Sequence, residues 1–162
     1  QFLFHSPYYD CFTKMIEDLT RVIKNDVVVV REHPEFKGKY NNLYEILQKK
    51  HNFLIDNAKN LEASILDSKF VITINSTVGL QSLALKKKVL CLGQSFYSGK
   101  GLTIDYHGFD LNKKIDEIND FELDENLVDS FLAYYFDELS FPCHFQEKKL
   151  YFSERLLDYV IS

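Results

Sequence analysis

Cysteine is scarce in this chain and is not arranged for use. Cys11, Cys91 and Cys143 are odd in number and scattered, with neither a CxxC pair nor a Cys/His set at metal-ligand spacing. No disulfide framework is required, and ordinary thiols of a reducing compartment are expected. "FPCHF" puts Cys143 beside His144 without further ligands, so no metal site is expected either. No apolar run approaches the roughly 20 residues that span a bilayer, and nothing reads as a signal peptide. A cytoplasmic location is the expectation. No basic stripe with interleaved aromatics is present, so nucleic acid is not an expected partner. "GQSFYSGKGLT" has glycines at 93, 99 and 101 and Lys100, yet lacks GxxxxGK[ST] spacing, which excludes a P-loop and leaves a nest for donor or acceptor. Internal repeats and low-complexity linkers are absent too.

What is present fits one domain. A chain of 162 residues can bury about two thirds of the surface its unfolded form exposes. It opens on Gln1 rather than Met, so a fragment of a longer protein is expected. The net charge of −5 hides an asymmetry: residues 1–100 carry 14 Lys/Arg against 10 Asp/Glu, and residues 101–162 carry 5 against 14. The mildly basic part can hold one small anion, or both parts are solvated surface.

Hydrophobic periodicity predicts alternating elements. Phe12, Met15, Ile16, Leu19 and Ile23 have helical spacing within 9–24, and "VVVV" then predicts a core strand over 27–31. Helix 42–50, strand 52–55, helix 60–67, strand 69–74, helix 77–86 and strand 88–92 follow. Short, continuously apolar strands separated by helices are what a parallel sheet covered on both faces requires. The expected fold is therefore α/β, a Rossmann-like parallel sheet with helices on both faces. After Leu92 come the glycine-bearing loop, an acidic stretch, and helices at 124–139 and 147–160 expected to pack onto the sheet, making 1–162 a single domain.

Two loops follow the C-terminal ends of these strands, where open α/β sheets bind ligands. In the first, "REHPEF", His33 can donate to a phosphate oxygen or act as acid or base near neutral pH, and Pro34 fixes the backbone after it. Arg31 can grip an anion or pair with Glu32 or Glu35 on the surface. In the second, "TINSTVGLQSL", strand 69–74 ends at Asn75, Ser76 is placed as a helix N-cap, and Thr77 falls in the first turn. A helix N-terminus offers unpaired N–H groups and the positive end of the macrodipole, although most Ser/Thr caps only cap. Tyr97, Lys100 and Thr103 of the later loop are candidate lining residues. The late aromatics, such as Phe131, Tyr134 and Tyr135, read mainly as core.

"REHP", "NSTVGLQSLALKKKVLCLG" and "FYSGKGLT", in this order and at these separations, resemble the C-terminal half of bacterial capsular polysaccharide biosynthesis proteins of the β-Kdo transferase type. "QFLFHSPY" resembles the segment that follows a Gln-containing motif in those proteins. The resemblance covers roughly residues 1–105. It implies the C-terminal domain of a two-domain GT-B glycosyltransferase, binding CMP-β-Kdo as donor substrate without a cofactor. It further implies transfer of Kdo with retention onto a lipid-linked or oligosaccharide acceptor, at a peripheral inner-membrane position, with an N-terminal domain completing the enzyme. His33 and Pro34 match an HP motif that contacts CMP, with His33 the catalytic candidate; Ser76 and Thr77 match the motif that holds the donor phosphate. The chain departs from the pattern at Gln81, where Glu is usual and would accept hydrogen bonds from ribose; glutamine keeps an acceptor oxygen and loses the charge. Two other readings stand beside this one: a CDP-polyol phosphotransferase, which also pairs an HP loop with a Ser-rich loop, and a noncatalytic Rossmann-like module.

Overall fold

In a computed structural model of the chain, residues 7–32, 38–57 and 60–136 are described. They form two compact units, Gln1–Asp124 and Glu125–Ser162. Unit one runs α1 (Phe12–Val22), β1 (Val28–Val30), α2 (Asn41–Gln48), β2 (Phe53–Ile55), α3 (Leu61–Asp67), β3 (Val71–Thr73), α4 (Thr77–Ala84), β4 (Val89–Cys91), β5 (Ile104–Asp105) and α5 (Leu111–Asp120). Unit two contributes α6 (Glu125–Tyr134), in which Phe131 stacks on Tyr135 just past the helix, and Tyr135 stands edge-on to Phe136. The expected helix at 147–160 lies outside the described residues.

All strand pairs are parallel. β1 pairs with β2, setting Val29 opposite Leu54, and β3–β4–β5 form a second sheet with Ile72 opposite Leu90 and Leu90 opposite Ile104. Parallel strands flanked by helices make this an α/β, Rossmann-like architecture. The layer is divided, however, into two small sheets rather than one.

β4 is central, and Val89, Leu90 and Cys91 are all fully buried. Alternation sends Leu90, with Leu92 beyond the strand end, into a core with Leu19 of α1 and Leu111, Ile115 and Ile118 of α5. Val89 and Cys91 face the other side, where α4 packs on β3 and β4. That explains the unbroken apolar run of the strand.

The pair β1–β2 behaves differently. Val28 and Phe53 pack with Ile16, Tyr44 and Leu47 beneath α1 and α2, while Val29 and Leu54 are 53% and 55% exposed. The expectation of a core strand at 27–31 is thus corrected. Its side chains alternate, and among the described residues no helix covers the second face, so four consecutive valines are half buried.

One helix serves both cores. α1 sends Ile16 into the β1–β2 cluster and Leu19 into the other, and Ile23 packs against each. Its outer face is charged, with Asp18 Oδ1 accepting from Lys14 at 3.1 Å and Arg21 at 2.8 Å.

Candidate functional site at the strand ends

β3 ends where the chain must turn into α4, and four polar groups fix that turn. Thr73 Oγ1 accepts from the Ser76 N–H at 3.2 Å; the Ser76 side chain in turn caps α4, its Oγ accepting from Val78 N at 3.2 Å. The Ser76 carbonyl accepts from Gly79 N at 2.9 Å and from the Tyr97 hydroxyl at 2.6 Å. Thr77 is exposed beside them, and its first-turn N–H is not used by the fold among the described residues. Such unused donors are the feature that makes a helix N-terminus attractive to anions. Asn75 adds a buried Oδ1 without a hydrogen-bond partner. Gln81 is exposed one turn along α4.

Tyr97 holds this turn from within. It is fully buried, and a Cβ added at Gly79 would fall on its ring, so the absence of a side chain at 79 is what admits Tyr97. Burial, then the nearby Cys91 thiol, push its phenol well above the ordinary range. It stays a neutral donor. Cys91 is also fully buried, and burial pushes its thiol up to about 11, which suits packing and not nucleophilic chemistry.

The loop carrying Tyr97 is closed by Asp105, the last residue of β5. Asp105 Oδ1 accepts from Thr103 Oγ1 at 2.8 Å and Oδ2 from Gly99 N at 2.8 Å. Gly99 has φ +70°, a left-handed conformation in which a side chain would be strained. Thr103 is buried and occupied by this bond, whereas Lys100 is exposed at the loop tip.

At the end of β1, Arg31 is exposed and its Nη1 donates to Ser64 Oγ at 3.0 Å and to the Asp56 carbonyl at 3.5 Å. Glu32 instead turns inward, only 8% exposed. Its Oε2 accepts from Asn57 Nδ2 at 2.5 Å and from Gly38 N at 3.2 Å, and its own N–H donates to Asn57 Oδ1 at 3.2 Å. The surface pair of Arg31 with Glu32 therefore does not form: Glu32 latches β1 to the segment after β2. The phenol of Tyr44 is pushed up to about 12 by burial and then by this carboxylate. His33 and Pro34, with Glu35, lie outside the described residues.

The structure thus brings Asn75, Ser76, Thr77 and Tyr97 together, with Thr103 and Lys100 on the loop tied to them through Tyr97. Sequence reasoning missed Asn57 and Asp105, and it gave Glu32 only a surface role. Thr103 two residues before Asp105 was a local signal of a side-chain-closed turn; the Tyr97–Gly79 contact has none. Among the described residues no cluster of His, Cys, Asp and Glu could hold a metal, and no helix is long and apolar enough to cross a membrane.

The profile of a family described as "Capsule polysaccharide biosynthesis protein" matches residues 1–142. The chain belongs to this family. Among curated relatives of the capsule family member, Protein FixF of Sinorhizobium fredii is 29% identical over 108 residues, covering 64% of this chain and 26% of FixF. The chain thus spans about a quarter of the length of the relative it matches. No solved structure matches.

Proposed function

We propose that this chain is the donor-binding part of a glycosyltransferase that moves β-Kdo from CMP-Kdo to a lipid-linked or oligosaccharide acceptor in capsule synthesis. Membership of the capsule polysaccharide biosynthesis family supports a glycosyltransferase-like role. The observation that carries the donor reading is the turn at Asn75–Thr77, an unused first-turn donor and two hydroxyls at the end of a parallel strand.

In this reading the CMP phosphate rests on the N-terminus of α4, against Ser76 and Thr77. During transfer the bond from the anomeric carbon of Kdo to the phosphate oxygen breaks, and CMP leaves with the electron pair. Donors fixed before the reaction stabilise the charge that gathers on that oxygen. The acceptor hydroxyl bonds to the anomeric carbon and gives up its proton; His33 is assigned acid–base work from its motif. His33 and Pro34 contact the cytidine part, Arg31 and Lys100 add positive charge, and Gln81 accepts from ribose. An N-terminal domain supplies the rest of the cleft, with peripheral attachment at the inner membrane and no cofactor.

Calorimetric titration with CMP, with UMP as base control, tests this. Saturable CMP binding stronger than UMP and lost in both His33→Ala and Ser76→Ala is expected. A folded chain that prefers CDP-glycerol would replace the reading with a CDP-polyol phosphotransferase. Binding of no cytidine nucleotide, in this chain and in the full-length protein, would leave a noncatalytic module.

A further inference from the structure

A second concavity lies at the same strand edge, beyond the turn at Ser76. It has a volume of about 110 Å³ and is lined by Tyr8, Gln94, Ser98, Asp105, Tyr106 and His107, with Gly93 and Gly99 in its wall. The volume itself is informative. Pockets for nucleotide-sized ligands run to about 300–1,000 Å³, and one water occupies about 30 Å³ of liquid. This space takes one edge of a single small ring.

Its wall is built and not incidental. Tyr8 stands edge-on to Tyr106 at 5.5 Å and lies over Gly108, whose φ of +89° and missing side chain let the ring approach. Asp105 spends one lone pair of each oxygen on Thr103 and Gly99, and a carboxylate has about four acceptor sites in all. Two remain. Ser98 donates to the Ser95 carbonyl at 2.8 Å and accepts from Ser95 N at 3.1 Å, so its role is to hold the loop. Gln94 and His107 are exposed and have no hydrogen-bond partner among the described residues. The free groups are thus an amide, an imidazole and carboxylate lone pairs beside a partly exposed ring.

We propose that this concavity is a subsite for a neutral sugar ring. Vicinal hydroxyls both donate and accept, which suits Asp105, His107 and Gln94 together. The electron-rich face of Tyr8 suits the C–H side of such a ring. The Asp105 charge repels a phosphate or a sugar carboxylate, so neither the nucleotide nor an acidic donor sugar fits. In the glycosyltransferase reading, on which only its role in the reaction rests, the occupant is a sugar of the acceptor.

The test is saturation-transfer NMR on the chain with methyl glucoside and methyl galactoside as neutral probes and N-acetylneuraminic acid as acidic probe. Transfer to ring protons of at least one neutral glycoside is expected, and little to the acidic sugar. The signal should fall several-fold in Gln94→Ala/His107→Ala, and in Tyr8→Leu, with the amide spectrum of the fold retained. It should persist in Ser76→Ala, so that loss of CMP binding and loss of sugar binding are separate results. No transfer from the unsubstituted chain, equal transfer from the substituted ones, or preference for the acidic sugar would overturn the proposal.

Discussion

At the scale of single residues, Tyr97 and Gly79 form the most constrained pair at the strand edge, and neither is chemically reactive. The Tyr97 hydroxyl meets the Ser76 carbonyl at 2.6 Å, and its ring occupies the space that any side chain at 79 would fill. Tyr97→Phe keeps the packing and removes one of two bonds to that carbonyl, so the loss should be near the lower end of the about 1–3 kcal/mol for an unmet buried polar group. Urea denaturation reads the loss, and faster exchange of the Val78 amide would locate it at the α4 cap. Gly79→Ala overpacks the same space, which typically costs about 1–3 kcal/mol. If the two residues act through one contact, Tyr97→Leu should recover part of the Gly79→Ala loss, and a double-mutant cycle should give a non-additive term. Additive losses would mean that each residue acts alone.

Elements were legible where periodicity was strong. The helix expected at 9–24 is α1, the strand at 88–92 is β4, and the cap at Ser76 is where the hydroxyl sequence predicts it. What could not be read was burial of one strand against another. Four valines at 27–30 and the run "KVLCL" look alike in sequence, yet Val29 is half exposed and Leu90 is fully buried. The difference lies in which helices cover each sheet, which is set by contacts far apart in the chain. Leu90→Ala should therefore cost about 2–5 kcal/mol, whereas Val29→Thr should stay within about 0.5 kcal/mol, both by chemical denaturation. The acidic stretch after residue 105 also hid a helix. α5 starts at Asp110, whose carboxylate accepts from Lys113 N at 3.3 Å, and buries Leu111, Ile115 and Ile118 in helical spacing. Its charged residues lowered the apolar signal without breaking the period. Asp110→Ala should cost about 1 kcal/mol or more, through the lost cap and because Asp110 has φ 54°, a left-handed conformation that alanine adopts less readily than aspartate. The candidate site divides in the same way: the motif turn at Asn75–Thr77 was visible, while its struts from Tyr97 and Asp105 depend on tertiary contact.

At the scale of the whole unit Gln1–Asp124, α1 ties the two cores, so a disturbance in one should be felt in the other. Alkaline titration tests that coupling. The Cys91 thiol ionises near 9.0 when unfolded and near 11 when folded, because burial disfavours the thiolate. Below pH 9 both states hold the proton and its contribution is fully present. Between about pH 9 and 11 only the folded state keeps it, so folding stability declines with rising pH. Tyr44, raised from 10.0 to about 12, extends the decline toward pH 12 from the β1–β2 core. Replacing Cys91 with Ala should flatten the first part of the decline and leave the second. If α1 makes the two cores one cooperative unit, amides of β1–β2 and of β4 should lose protection together across this range, even though Cys91 touches only the second sheet. Loss from β4 first, with β1–β2 still protected, would mean that the shared helix does not couple them.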